Sequence, residues 1–306
     1  MKLEMDFDKT FFDEEIRCEY MVTQKQKKIW ACELDLANKL LHVCNKYDIR
    51  VMGYAGTMLG AIRHKGFIPW DDDMDFCMLR NDFYKLLEIA DKEFQHPYFF
   101  QTALSDRRYF CGYGRLRNSS TTAIIEGQDE NYNNGIYIDI WVIDGLIDDD
   151  KLFRNQIKDR DFANRLAKLF LPLRSGNSIL RKAVKSSLRM VLSVVTNYED
   201  SVKRYWNVLD RYNKAADKFT LMTHPLDVIK KYWISKENLE ELTLVPFENI
   251  MIPVPKNYDQ VLGIIYGDYM KFPPMSERGK WHEGQIVFEP DVPYMEYYKK
   301  NKSNKN

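Results

Sequence analysis

Four aspartates crowd into five positions of this 306-residue chain, Asp71, Asp72, Asp73 and Asp75, with Met74 between the last two. In DMDFCML, Met74, Phe76 and Met78 alternate with Asp73, Asp75 and Cys77, the period of a β-strand, which places Asp73 and Asp75 on one face. Carboxylates side by side repel, and a hard divalent cation is the usual counter-charge. Mg²⁺, or Mn²⁺ in its place, takes one or two carboxylates and completes its shell with water and substrate phosphate oxygens. The pair is therefore a candidate site for metal-assisted transfer of a phosphate-containing group. Upstream, Gly56 and Gly60 flank Thr57, so a short strand over 49–54 can turn sharply into a helix whose first N–H groups face an anion. Thr57 can cap that helix or touch a phosphate. Arg63, His64 and Lys65 add positive charge before Gly66 and Pro69 return the chain to the acids.

Two later segments add candidates. In YGRLRNSSTTAIIEG, Arg115 and Arg117 share a strand face, and guanidinium forks suit phosphate oxygens, although solvated charges give the same pattern. In NNGIYIDIWVIDGL, residues 133–146, Ile136, Ile138 and Ile140 face one way and Tyr137, Asp139 and Trp141 the other. A lone acid in so apolar a strand is costly unless paired or metal-bound, which makes Asp139 the third candidate carboxylate. Asp144 reads as a turn residue ahead of Gly145.

At these residues a resemblance becomes specific. GTMLGAIRHKGFIPWDDDMDFCMLRNDF resembles the signature of the LicD family, the cholinephosphotransferases of lipopolysaccharide and teichoic acid, to which fukutin-type proteins are related. The Arg115–Arg117 strand, the segment around Asp139 and PFENIMIPVPKNYDQVLGIIYGDYMKFPP resemble its later parts. The resemblance implies a nucleotidyltransferase-like fold in which a Gly-Thr turn precedes an Asp-x-Asp strand and a third acid comes from a later strand. It also implies transfer of a substituted phosphate, phosphocholine first, from a CDP-linked donor to a hydroxyl of a bacterial surface glycan or lipid-linked glycan, with release of CMP. On that reading Asp73, Asp75 and Asp139 hold Mg²⁺ (or Mn²⁺) as catalytic residues, and Asp139 can also take the acceptor's proton. Gly56, Thr57 and Gly60 shape the donor turn. Arg63, His64, Lys65, Arg115 and Arg117 serve the phosphates, while Trp70, Trp141, Asp71 and Asp72 suit a quaternary ammonium headgroup. His282, in RGKWHEG where the family commonly has a histidine, is a candidate contact for acceptor or phosphate.

Other readings of the same residues are transfer of a whole nucleotidyl group to a small acceptor, and a nucleotide-binding protein of this fold without turnover. Asp71-Asp72-x-x-Asp75 is also the pattern of an isoprenoid synthase, but that chemistry needs the acids on a helix, and Pro69 with the period-two run argues for a strand. A haloacid-dehalogenase-type phosphatase would carry Thr or Val where Cys77 stands.

The elements around these residues read as an α+β fold, a nucleotidyltransferase-like mixed sheet with flanking helices and an inserted helical region. The expected division is a catalytic core over 1–150, a helical insertion over 151–220, and a segment over 221–306 that returns to the catalytic body. Residues 14–47, free of Gly and Pro, read as one helix. Asn81 or Asp82 caps a second, to about residue 93. Strands are expected over 98–102, 109–117, 121–126 and 247–254, then a short helix capped by Asn257 or Asp259 and ended by Gly267.

Composition bounds the rest. Zero net charge, with 45% hydrophobic and 29% charged residues, describes a globular chain with no global pull toward nucleic acid. Five cysteines, with no C-x-x-C pair, suggest neither a disulfide framework nor a zinc site, and the cytoplasm is the natural compartment. No apolar run reaches spanning length, so a membrane would be met peripherally, at its inner face. Residues 162–198 are the candidate for that contact: Arg165, Lys168, Arg174, Arg181, Lys182, Lys185 and Arg189 interleave with apolar residues and no acid intervenes. A packed helix with a solvated basic face fits the same composition.

Overall fold

The computed structural model describes residues 1–125, 132–171, 179–279 and 286–303. His282, with Trp281, and Arg174 of the basic stretch lie outside the described residues.

The helix expected over 14–47 begins only at Gln24. Before it, β1 (Glu15–Arg17) and β2 (Tyr20–Val22) pair antiparallel. Their turn residues Cys18 and Glu19 are both left-handed, at φ 49° and 62°. That is the two-residue turn whose twist suits a hairpin, built here without the Gly or Asn that usually marks it. Thr23 then accepts the Gln26 N–H on its hydroxyl at 3.2 Å and starts α1 (Gln24–Lys46). Every residue of α1 from Ile29 to Ala37 is buried, so it is a core helix and not a surface one.

β3 (Met52–Gly53) leads into α2 (Ala55–His64), and β4 (Asp75–Leu79) into α3 (Arg80–Glu93). Next come β5 (Tyr98–Gln101), β6 (Gly114–Asn118), β7 (Thr122–Ile125) and the long β8 (Ile136–Leu146). Three helices follow, α4 (Asp150–Phe170), α5 (Ile179–Leu192) and α6 (Tyr198–Asp210). The chain continues through β9 (Lys218–Thr220), α7 (Leu226–Lys231), β10 (Trp233–Ser235), α8 (Lys236–Glu240), β11 (Leu242–Phe247), β12 (Ile250–Pro255), α9 (Tyr258–Tyr266), β13 (Ile286–Glu289) and α10 (Tyr294–Ser303).

β8 is the spine of a mixed sheet. β4 runs parallel to it, Asp75 opposite Asp139 through Leu79 opposite Ile143. β6 runs antiparallel along residues 136–140 and β9 along 144–146. β3 adds to β4, β5 to β6 and β10 to β9. Helix α1 packs on β8 and β6, and α3 on β4 and β8. β13 pairs with β7, and the β11–β12 hairpin lies against α2 and β3. The expected α+β class, a mixed sheet flanked by helices, is what the chain forms.

Further local expectations differ, among them the strands read over 49–54 and 109–117, which form only at Met52–Gly53 and Gly114–Asn118. β4 starts at Asp75, so Asp73 lies in the preceding loop and does not share a strand face with it. α3 starts at Arg80 with Leu79 in the cap position and no side-chain cap bond, so neither Asn81 nor Asp82 caps it. The strand expected over 247–254 is the turn and second strand of a hairpin, with Glu248 at φ 48°. Gly267, at φ +68°, does end α9, but Asn257 makes no side-chain cap bond there.

Asp144 is not a turn residue either. It lies inside β8 with no exposed side-chain area, bridging both oxygens to Arg80, from Nε at 3.0 Å and Nη2 at 2.5 Å, and accepting from Asn213 Nδ2 at 3.1 Å. A buried pair of this kind does not stabilise much against an apolar replacement of both, but removing one partner strands the other charge. Arg80→Met should therefore cost about 3–5 kcal/mol in urea unfolding. A loss under about 1 kcal/mol would mean that water reaches Asp144 in the variant.

Candidate active site

The acid loop is held from below by α1. Gln26 Nε2 donates to the carbonyls of Pro69 at 2.9 Å and Asp71 at 3.2 Å, and Trp30 Nε1 donates to Asp71 O at 3.0 Å. The Trp30 indole also stacks on Phe67, with centroids 4.6 Å apart and planes 2° from parallel. With the backbone tied down in this way, the side chains of Asp71, Asp72 and Asp73 converge, and one oxygen from each lies within 4.8 Å of the others. The start of α2 adjoins them. A Cβ on Gly56 would sit 2.9 Å from Asp71 Oδ2, so a side chain there would push that carboxylate away from the helix backbone. Gly60 serves packing instead, because a Cβ there would fall 2.5 Å from the Gly66 carbonyl. Thr57 spends its hydroxyl on the strand: Oγ1 accepts the Asp75 N–H at 2.7 Å.

Asp75 and Asp139 face each other across neighbouring strands, each with a partner of its own. Trp141 Nε1 donates to Asp75 Oδ1 at 2.7 Å. Arg115 grips Asp139 with Nε at 2.6 Å and Nη2 at 3.4 Å, and its guanidinium lies 3.9 Å from the Tyr137 ring centroid. Arg117 uses the other part of that ring, at 4.6 Å, and donates to Gly135 O at 2.6 Å and to Gln101 Oε1 at 2.5 Å. Both arginines are buried, and Arg115 Nη1 and Arg117 Nη2 have no hydrogen-bond partner.

A third group forms an aromatic wall. Trp70 meets Tyr20, His64 and Phe272 edge-on, and Arg278 lies 4.6 Å from its ring centroid. Tyr20, Trp70, Asp72 and Arg278 line a cavity of about 420 Å³, in the range that holds small ligands. Arg63 points elsewhere, donating to the Tyr269 carbonyl at 2.8 Å, and Lys65 is exposed at the end of α2.

Of the residues expected from sequence, the fold thus brings Asp71, Asp72 and Asp73 together with Gly56. It sets Asp75, Asp139, Arg115 and Trp141 on the adjoining strands, and His64 and Trp70 in the wall. Missed were Gln26, Trp30, Glu33 and Arg278. Glu33 is a fully buried acid whose carboxyl is pushed well above the ordinary range, first by burial and then by the charges of Asp73, Asp72, Asp71 and Asp75. The available signal was an acid set among apolar residues in WACELDLA.

His64 accepts from Arg63 Nε on Nε2 at 2.9 Å, which assigns its proton to Nδ1. Burial, then Arg63, Arg17 and Arg278, press its pKa from 6.5 to about 4. A folded value below the unfolded one means stability that is present above pH 6.5 and lost as pH falls toward 4. An NMR titration, assigned with His64→Gln, should find this ring neutral at pH 6. A midpoint near 6.5 would show a solvated imidazole.

Residues 48–177 match the LicD family, described as the LicD/FKTN/FKRP nucleotidyltransferase domain. Over 247 residues the chain is 27% identical to the lipopolysaccharide cholinephosphotransferase LicD of Haemophilus influenzae, covering 78% of this chain and 89% of that one. An uncharacterized protein of Rickettsia prowazekii is 35% identical over 81 residues, 26% of this chain and 29% of that one. With the acid cluster, the Gly-Thr helix start and the mixed sheet in place around them, residues 48–177 form a segment that matches the LicD family, and most of the chain is similar to LicD.

Proposed function

We propose that this protein is a transferase that moves phosphocholine from a CDP-linked donor to a hydroxyl of a lipopolysaccharide-type surface glycan and releases CMP. The observation that carries the reading is the convergence of Asp71, Asp72 and Asp73 beside the start of α2 in a segment that matches this family. The Haemophilus relative, named for cholinephosphate transfer to lipopolysaccharide, supports the choice of group and acceptor.

The donor set fits a hard divalent cation: oxygens only, from three carboxylates within 4.8 Å. Asp73 with Asp71 and Asp72 would hold Mg²⁺ or Mn²⁺, with Asp75 and Asp139 flanking. Bound there, the cation would neutralise phosphate charge at the reacting centre. The protein's own groups do the rest. The first N–H groups of α2 favour the donor's anionic phosphates. Arg115 keeps two nitrogens on Asp139 and has Nη1 to offer a phosphate oxygen, and it shares the Tyr137 ring with Arg117. Trp141 fixes the Asp75 carboxylate, and Asp139 is the candidate acceptor of the hydroxyl proton. The cavity walled by Tyr20, Trp70 and Asp72 offers aromatic faces and an acid to a quaternary ammonium.

With Mg²⁺, CDP-choline and a surface-glycan acceptor, the purified chain should release CMP. Asp73→Asn should cut that release by roughly two orders of magnitude, the several kcal/mol a charge-stabilising centre supplies, and leave the circular dichroism spectrum unchanged. Near-normal turnover in the variant would remove Asp73 from the mechanism. Pyrophosphate in place of CMP would mean nucleotidyl transfer.

Among the described residues no helix is long and apolar enough to cross a membrane. α5 nevertheless leaves Val184, Leu188 and Val191 exposed at helical spacing, with Val194 and Val195 beyond its end more than three-quarters exposed. Lys185 and Arg189 lie beside them. An unburied apolar stripe with basic neighbours suits an anionic lipid surface, where a lipid-linked acceptor would reside. The chain should co-sediment with phosphatidylglycerol vesicles at low salt, and Leu188→Ser with Val191→Ser should reduce the bound fraction several-fold. Equal binding by the double variant would assign the surface elsewhere.

A further inference from the structure

A second cavity, of about 600 Å³, opens away from the acid cluster. Leu79 and Arg80 line it, at the end of β4 that lies roughly 13 Å beyond Asp75 at about 3.3 Å per strand residue. Its other walls come from the end of α6 and the turn behind it, from β9, from α8 and from Arg50 ahead of β3. A seam between separate parts of a chain is a usual place for a small ligand, and the volume is of the right size to enclose one.

The frame of this cleft is fixed by the protein's own bonds. Asn213 takes the Gly145 N–H on Oδ1 at 2.5 Å and gives Nδ2 to Asp144, which in turn holds Arg80. Arg50 Nη2 donates to the carbonyls of Leu239 and Glu240, the latter at 2.8 Å, and so ties α8 to the start of β3. Phe219 and Leu239 are buried and give the cleft an apolar floor.

Two kinds of polar group surround that floor. Arg80 is neutralised by Asp144, and Arg211 is paired with Asp159 at 2.8 Å. That leaves Arg50, Lys214 and Lys236, from three separate segments, without an ion pair among the described residues, and converging cations of this kind suit phosphate oxygens. Asn81, Asn207, Asp210 and Glu240 line the same cavity, and amides and carboxylates suit hydroxyl groups. A bare phosphate would meet the two acids as well as the cations. An uncharged sugar would leave the cations unused. A molecule with both a phosphate and several hydroxyls uses every group, and the C–H face of its ring fits the apolar floor.

We propose that this cleft is a binding site for a sugar phosphate, separate from the candidate active site, with Arg50, Lys214 and Lys236 on the phosphate and the amides and acids on the hydroxyls. The inference rests on neither the cation reading nor the transfer reading above.

The test is calorimetry on the full chain in EDTA, so that no divalent cation sits at the acid cluster. The probes are glucose 1-phosphate, glucose 6-phosphate and ribose 5-phosphate, with glucose and inorganic phosphate as controls. At least one sugar phosphate should bind one per chain, and both controls should bind at least roughly 10-fold more weakly, as the loss of charge-assisted hydrogen bonds requires. Lys214→Glu with Lys236→Glu, both exposed positions, should weaken the sugar phosphate by a similar factor while the circular dichroism spectrum stays unchanged. Asp73→Asn should bind it as the native chain does. Heat from none of the three sugar phosphates would overturn the proposal. So would inorganic phosphate or glucose binding as tightly, since the cleft would then read only one half of the molecule. Binding kept in the double lysine variant but lost in Asp73→Asn would place the ligand at the acid cluster and overturn it too.

Discussion

The register of β4 on β8 is the constraint on which the rest of the molecule depends. The two strands run parallel with Asp75 opposite Asp139 at one end and Leu79 opposite Ile143 at the other, and the next residues along, Arg80 and Asp144, form the buried ion pair. A one-residue slip would carry every side chain of β4 to the other face and part both pairs at once. The clamp at one end of the strand thus fixes the acids at the other. Both charges of the pair are fully out of water, and its value lies in specifying that alignment more than in net stability.

Within that frame the acid loop is held against its own charge. Two full charges 4.8 Å apart repel by about 3–4 kcal/mol at an effective dielectric of about 20, and by under about 1 kcal/mol in bulk water. Neutral bonds oppose that repulsion: Gln26 and Trp30 on loop carbonyls, Thr57 on the Asp75 N–H, Trp141 on the Asp75 carboxylate, and the backbone bonds Tyr54 N–H to Asp75 O and Asp139 N–H to Met74 O. Such a scaffold fixes the backbone from which the carboxylates converge. Preorganisation of that kind is what lets a site act on charge without rearranging itself.

The wall around Trp70 is assembled from distant parts of the chain. Tyr20 comes from the N-terminal hairpin, His64 from the end of α2, and Phe272 and Arg278 from the segment after α9. The Arg278 guanidinium lies 4.6 Å from the Trp70 ring centroid, a cation–π contact that ties the segment after α9 to the wall. With its pKa pressed down to about 4 by burial and then by Arg63, Arg17 and Arg278, the His64 imidazole adds no positive charge to this wall near neutral pH.

The alternating pattern around Asp75 and Asp139, the strand face of Arg115 and Arg117, the glycine beside Asp71 and the α+β class were all legible in the chain, because strand period and glycine's missing Cβ are local properties. What was not legible came from contacts between distant residues. The hairpin before α1 turns on left-handed Cys18 and Glu19, which no local signal marks. Asp73 leaves the strand because β4 pairs only from Asp75 onward. Asp144 looked like a turn acid until Arg80 was seen against it. Glu33 looked like one acid on an ordinary helix. By itself, then, the sequence determined which groups exist and their local periodicity, and through them the likeness to the LicD family. The tertiary structure alone decided which carboxylates are brought together and that Asp144 and Asp139 each meet an arginine, since that depends on packing elements far apart in sequence.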